Sequence, residues 1–394
     1  MSPRRRTAIV MSRLPRLIDP RAAWLRGLRA ALQRVQQLGD TLIVVDGTAG
    51  AEFVRRGAER LAIPVEVIQV ADDPGSVSTA TESEDTIPQR DRVLIGSAQT
   101  VVVLGVRTNG NVHRALREHL ANGGHVELAD LDELQSRAVR DDLIGRGASL
   151  WSLSFDDHSP VGVAVEIATP RRTDSVYEIV PFPSPGEWIF LSHTTRACAG
   201  PWPEQTQTDY VDSVLDGTSD ADHSPVAALE RILTQQRLLA SPRTNRGGHA
   251  VVCFTAVPLL ELPSLRQFRT HRSRWDFEPF GLCLDRQWLH DRGARPVIYG
   301  DEATWQSLPD TDRPFFQLTH PTDRAKESSA QLIDWSVERE WRHVGDLDLR
   351  ELKPDQALVF VPRFAAAMRL AEVSPWPITL WPDPSGFDTP VFCD

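Results

Sequence analysis

The sequence predicts an α/β domain of Rossmann type at the amino terminus, joined to an α+β domain whose strands are mostly antiparallel. Two observations predict this. From residue 7 to about 130, short apolar runs alternate with stretches whose apolar residues recur at helical spacing, the pattern of a parallel sheet covered by helices on both faces. Beyond about residue 187, many short strand-like runs surround one convincing helical stretch, residues 224–241, a mixture that favours antiparallel pairing.

The elements follow in order. "TAIVMSR" (7–13) is a first strand. "DPRAAWLRGLRAALQRVQQLG" (19–39) reads as a helix, with Asp19 as N-cap, Pro20 at its first position, leucines at helical spacing and Gly39 as its stop. "TLIVVDGTAGAEFVRRGAERLAIPVEVIQV" (41–70) gives strand, glycine turn, helix and strand. A polar stretch, 72–89, reads as a mobile loop, and "TVVVLGVRTNGNVHRALREHLANGGHVELADL" (100–131) resumes the alternation. About five strands complete a domain over residues 1–140. Residues 141–186, with "GVAVEIATP" and "SVYEIVPFP", read as a β-rich connection, and 187–394 as the α+β domain, with strands in "HAVVCFTAVPL", "FGLCLDR", "RPVIYG", "WSVEREWRHV" and "QALVFVP". There is no internal repeat.

Composition narrows the function classes. With 394 residues and a formal charge of -11, Lys+Arg 43 against Asp+Glu 54, broad non-specific binding to nucleic acid is disfavoured, although a local basic stretch such as "RQFRTHRSRW", with Arg269, Arg272 and Arg274, suits a single base or strand. No apolar run is long enough for a membrane helix and no signal core follows the first residues, so the expected location is the cytoplasm, with no membrane partner. Four scattered cysteines, Cys198, Cys253, Cys283 and Cys393, form no CxxC; a zinc site joining some of them to His193 is an arrangement the residue types allow, but no metal is signalled.

Two turns carry the chemistry of the first domain. In "VVDGTAGAEFV" and "LGVRTNGNVHRAL" a buried strand ends in a glycine turn that opens a helix, leaving backbone N–H groups and the positive end of the helix dipole for an anion. Gly47, Thr48 and Gly50 form the first cradle, and Gly105, Asn109 and Gly110 the second. Together with Ser12 and Arg13 after the first strand, the run Gly47, Thr48, Ala49, Gly50, Ala51 resembles the turns of the SLOG superfamily, whose members include DprA-like and lysine-decarboxylase-like nucleotide-binding proteins. The resemblance spans residues 7 to about 130. It implies a nucleotide pocket in which Arg13 pairs with phosphate. The PGGxGTxxE signature of the phosphoribohydrolase members is absent, which favours binding or sensing over hydrolysis.

In the second half, "DWSVEREWRHVGDLDL" (334–349) places Glu338 and Glu340 two apart, which on a strand puts both carboxylates on one face. The same alternation of charge also describes a solvated strand. With "EWIFLSHTTRACAGPWP", "VVCFT" and "FGLCLDR…GARPVIYG", it resembles bacterial phage-defence proteins related to the AbiGi family, distantly similar to DarT-like ADP-ribosyltransferases, over residues 187–362. That resemblance implies NAD as cofactor and ADP-ribosyl transfer, with Glu340 stabilising an oxocarbenium-like centre and Glu338 orienting the acceptor. His193 and Arg196 would hold the dinucleotide, and Thr255 and Tyr299 would position it. The enzyme reading requires His193, Thr255 and Glu340 to converge in one cleft. Three classes stay open: this transferase acting on a nucleobase, DNA or protein in phage defence or nucleic-acid modification; a base-processing enzyme with Cys198 as nucleophile or with a bound metal; and a non-catalytic nucleotide sensor.

Overall fold

A computed structural model of the chain describes residues 4–70, 87–131, 135–151, 180, 188–243, 245–269, 274–319 and 335–381. The described residues form two compact units, one from Met1–Thr169 with Ala199–His223 and the other from Pro170–Cys198 with Ser224–Asp394. "GVAVEIATP", Arg272, Cys393, all of "SVYEIVPFP" except Val180, and nearly all of the polar stretch 72–89 lie outside the described residues.

The first unit is built on six parallel strands: β1 (Arg6–Met11), β2 (Thr41–Val45), β3 (Val65–Ile68), β4 (Thr100–Gly105), β5 (His125–Ala129) and β6 (Ser149–Trp151). Their spatial order is β3-β2-β1-β4-β5-β6, the doubly wound order in which the chain changes direction between β1 and β4. Helices α1 (Ala23–Leu38), α2 (Ala51–Arg60), α3 (Gln89–Ser97), α4 (Asn111–Ala121) and α5 (Arg137–Gly145) alternate with the strands. Because helices cover both faces, β1 is buried at every position from Thr7 to Met11 rather than at alternate ones. Ile9, Met11, Val44 and Leu104 pack against Leu25, Leu28 and Leu32 of α1 on one side. Val10, Ile43, Val45 and Val103 pack against α3, α4 and α5 on the other. Each fully buried leucine, Leu25 and Leu28 among them, stabilises the unit by roughly 1.5–3 kcal/mol.

Several boundaries differ from expectation. Helix α1 starts at Ala23, with Ala22 as its N-cap; Asp19 accepts instead from the Arg21 and Ala22 amides, making a turn that precedes the helix. Gly39 ends α1 in the left-handed region, φ 68°, where a residue without Cβ is unstrained. The amino-terminal unit also exceeds residues 1–140, since α5 straddles that point and β6 pairs in parallel with β5. A further helix, α6 (Gln207–Asp216), belongs here too. It is started by a Thr206/Asp209 capping box and buries Tyr210, Val211, Val214 and Leu215 in the α1 and α2 core. Arg56 of α2 grips Asp212 through two bonds of 2.8 and 2.7 Å.

The second unit centres on a seven-stranded sheet in the order Arg295–Pro296, Glu340–Val344, Val251–Thr255, Phe190–Thr194, Gly281–Asp285, Ala357–Val361 and Ile378–Leu380. All neighbours are antiparallel except the last pair. One face packs on helices through Leu229, Leu233, Trp288 and Leu370; the other meets Leu259, Leu262 and Phe277. The helix expected over 224–241 spans only Pro225–Gln235. Ser224 caps it, and left-handed Gln236 (φ 47°) ends it before Arg237–Leu238 pairs with Leu347–Asp348.

Candidate functional site

In the first unit, the residues singled out from sequence gather at the carboxyl ends of β1, β2 and β4. The Ser12 amide donates to the Gly105 carbonyl at 2.9 Å, and the Arg107 amide donates to Ser12 Oγ at 3.1 Å. The loops after β1 and β4 thus meet at the point where the sheet reverses direction. Gly47 (φ 80°) and Gly50 (φ 79°) both lie in the left-handed region, and Gly50 is the N-cap of α2, with no side-chain cap. Gly110 caps α4, again without a side-chain bond, so neither first turn is closed by a side chain, although the Ala51 amide of α2 donates to the Thr48 carbonyl at 3.2 Å. Thr48 has a different task from the one expected: its hydroxyl donates to the Val45 carbonyl at 2.7 Å and closes the turn.

Asn109 adopts φ 57°, and its amide donates to His113 Nδ1 at 3.1 Å. Nδ1 is therefore the acceptor, and Nε2–H donates to Asp142 at 3.0 Å. This buried histidine locks the second cradle. Arg13 is exposed. One residue escaped the sequence reading: a Cβ at Gly47 would run into the guanidinium of Arg90, so that cation lies against the first cradle. Its nearness to Gly47, 43 positions away, leaves no local signal in the sequence.

In the second unit, the expected acidic pair is not a pair on one strand. Trp335–Glu338 is a single 3-10 turn and Arg339 has φ 44°; the strand starts at Glu340. The left-handed residue swings Glu338 out of the alternation on which the expectation relied. Glu340 is engaged by Arg342, whose Nε and Nη2 reach its two carboxylate oxygens at 2.9 and 3.1 Å. The remaining Arg342 donors go to the Pro314 and Phe316 carbonyls and to Gln317. Arg342 is 3% exposed, so this is a buried, saturated ion pair.

Nor do His193, Thr255 and Glu340 share a cleft. Ser192 pairs with Thr255, and Thr255 with Glu340, which places those three on one face and His193 on the other. The His193 ring packs edge-on against Phe254 and donates from Nδ1 to the Cys253 carbonyl at 2.9 Å. Burial depresses its pKa. Thr255 donates to the Glu338 carbonyl at 2.5 Å. The Tyr299 hydroxyl accepts from the Glu340 amide at 3.1 Å, and burial pushes that phenol up to about 12. Arg196 is exposed beyond the strand end. Burial also raises the Cys198 thiol and takes those of Cys253 and Cys283 to about 12, the opposite of an activated nucleophile. Among the described residues no three His, Cys, Asp or Glu side chains gather as a metal site.

Glu338 lines a cavity of about 320 Å³ with Leu265, Arg266, Arg269, Phe277 and Val337. Burial, then the nearby Glu340 and Asp276, raise its carboxyl to about 7. Phe277 (φ 56°), like Arg339, holds a backbone conformation costly for a large side chain. Sequence reasoning ranked Glu338 below Glu340 and passed over Phe277 and Arg266.

The first unit thus has the strand order and loop arrangement of a Rossmann-like doubly wound domain. Solved structures similar to the amino-terminal region include the molybdenum cofactor carrier protein of Chlamydomonas reinhardtii, at 10% identity and TM-score 0.28, covering 38% of this chain and 89% of that one. DNA processing protein A from Streptococcus pneumoniae matches at 14% identity and TM-score 0.28, over 38% of this chain and 58% of its own. The Helicobacter pylori protein of that name, whose structure concerns single-stranded DNA binding, matches at 11% and 0.27, over 37% and 74%. No protein-family model matches the chain, and no curated protein matches it. No helix among the described residues is long and apolar enough to cross a membrane.

Proposed function

We propose that the first unit binds a nucleotide by its phosphates at the carboxyl end of its sheet. The observation that carries this reading is the reversal of strand order between β1 and β4, the place where open parallel sheets leave a crevice for a ligand. The crevice is edged by the Ser12 and Arg107 loops. The first turns of α2 and α4, open at glycine N-caps, supply amide donors and positive dipole ends. Arg13 and Arg90 supply charge, and Asp46, exposed directly after β2 and held by long 3.4 Å contacts from Arg55 and Gln69, is an acceptor for ribose hydroxyls. NAD and other nucleotides share this chemistry.

For the second unit the geometry favours a binding module over an ADP-ribosyltransferase. Glu340 is committed to Arg342, and His193 projects from the opposite sheet face. The protein is then a nucleotide-responsive binder, the sensor class. A place in phage defence or nucleic-acid modification follows from the resemblance of short motifs alone.

Thermal unfolding of the full chain with ATP, GTP, NAD and the corresponding nucleosides tests this. Phosphorylated ligands should stabilise the chain, by about 2.7 kcal/mol at a hundredfold excess over Kd. Nucleosides should have no effect through this site, and Arg13→Ala should shrink the response. A flat response to every nucleotide at millimolar concentration refutes the reading, and Glu340-dependent release of nicotinamide from NAD would restore the transferase.

A further inference from the structure

The cavity beside Glu338 has no part in the nucleotide site, and its walls specify an occupant. Its two arginines are already matched with acids. Arg269 Nε meets Asp276 at 2.6 Å, while Arg266 lies 3.8 Å from Glu278 and 4.1 Å over the Trp275 ring. A phosphate would have to break these pairs, so the cavity is not an anion trap. Leu265, Val337 and Phe277 give the wall its apolar part, and Ser264 and Gln267 add uncharged polar groups. At about 320 Å³, the space suits a small organic ligand at the lower end of the usual range. The charged acceptor in it is the carboxyl of Glu338, faced by Glu340 and Asp276 on the negative side and by Arg196 and Arg269 on the positive side.

We propose that this cavity binds a purine base with two adjacent N–H donors, as guanine presents on its Watson–Crick edge. The Glu338 carboxylate accepts both donors, and the ring lies against Phe277. Bases held outside a helix are read in this manner, by edge hydrogen bonds and apolar contact. The strained backbones of Phe277, in the cavity wall, and of Arg339, next in sequence to Glu338, fit a site held ready for its ligand. The acceptor is the ionised form, so binding depends on pH in a defined direction. With a carboxyl near 7, roughly nine-tenths is ionised at pH 8 and one-tenth at pH 6. Affinity therefore falls about tenfold from pH 8 to pH 6.

The test is a fluorescence titration of the full chain with guanosine, which lacks the phosphates the other site needs. Trp275 and Trp335 stack on the two arginines and report occupancy. Guanosine should bind at pH 8, and about tenfold more weakly at pH 6. Inosine, which keeps one of the two donors, should bind several-fold more weakly. Glu338→Gln should lose about tenfold or more, because its amide opposes one donor with another. No guanosine binding at millimolar concentration, equal binding of inosine, or unchanged binding by a folded Glu338→Gln each overturns the proposal. The inosine comparison uses only the natural protein, so it decides the matter even where the variant fails to fold. Phosphate-dependent binding in the first unit can fail or succeed independently.

Discussion

Removing Glu340 should destabilise the second unit rather than abolish a reaction. Arg342 has five N–H donors, and all five are used: two on the Glu340 carboxylate, one each on the Pro314 and Phe316 carbonyls, and one on Gln317. In Glu340→Ala the guanidinium stays buried, with two donors and its charge uncompensated. Breaking one side of a buried ion pair costs about 3–5 kcal/mol. Glu340→Gln keeps one acceptor but no charge, and should cost about 1–3 kcal/mol. The double variant Glu340→Leu/Arg342→Met removes both charges together and should recover part of the loss, the remainder reflecting the Pro314 and Phe316 carbonyls and Gln317, which lose their donor. The assay is hydrogen exchange of the amides in Glu340–Val344 and Val251–Thr255 under native conditions, with guanidinium unfolding as the global readout. A loss under about 1 kcal/mol for Glu340→Ala, or a double variant worse than both singles, would show that the pair is not what holds these strands, and the structural role assigned to Glu340 would fail.

Two further outcomes follow from the shifted acids and thiols. Burial raises the thiols of Cys198, Cys253 and Cys283, so alkylation mapped by mass spectrometry at pH 7.5 should label these three far more slowly in the native chain than in urea; fast native labelling of Cys198 would revive the nucleophile reading. Glu338 is raised from 4.5 to about 7, so the folded state holds its proton more tightly than the unfolded one. Its contribution is complete below pH 4.5 and is lost as pH rises through 7, a difference of about 3 kcal/mol. Denaturant unfolding at pH 5 and pH 8 should therefore show Glu338→Gln gaining on the natural protein as pH rises, and a gap that does not change with pH would contradict the assigned environment.

Much of the first unit was legible because its signals are local. The apolar runs of β1, β2 and β4 and the leucine spacing of α1 follow from periodicity, and the Gly47, Gly50 and Asn109 turns from the backbone conformations that glycine and asparagine permit. What was hidden depends on residues distant in sequence. Nothing in "SVERE" announces that Arg339 turns left-handed and separates the two glutamates, and only the pairing of Arg342 opposite Cys253 shows which carboxylate is already spoken for. The faces of His193 and Glu340 could be compared only through the register of the strand between them. The α6 face formed by Tyr210, Val211, Val214 and Leu215 looks the same in sequence whichever core receives it, so its return to the first unit was unreadable.

That return gives the chain a knitted order. Its path leaves the first unit somewhere beyond β6 and is in the second by Phe190–Thr194, returns at Cys198/Ala199 and passes over again at His223/Ser224. Neither unit is a continuous cassette. A fragment cut after β6 would lack α6, baring the apolar side of α1 and α2 and leaving Arg56 without Asp212. A fragment begun at residue 187 would carry α6 as an orphan loop with a greasy face. Transplanting either half therefore calls for a splice rather than a cut, for instance α6 rejoined behind β6 through a new linker. A lineage that gained or lost one half by simple fusion would have had to solve the same problem.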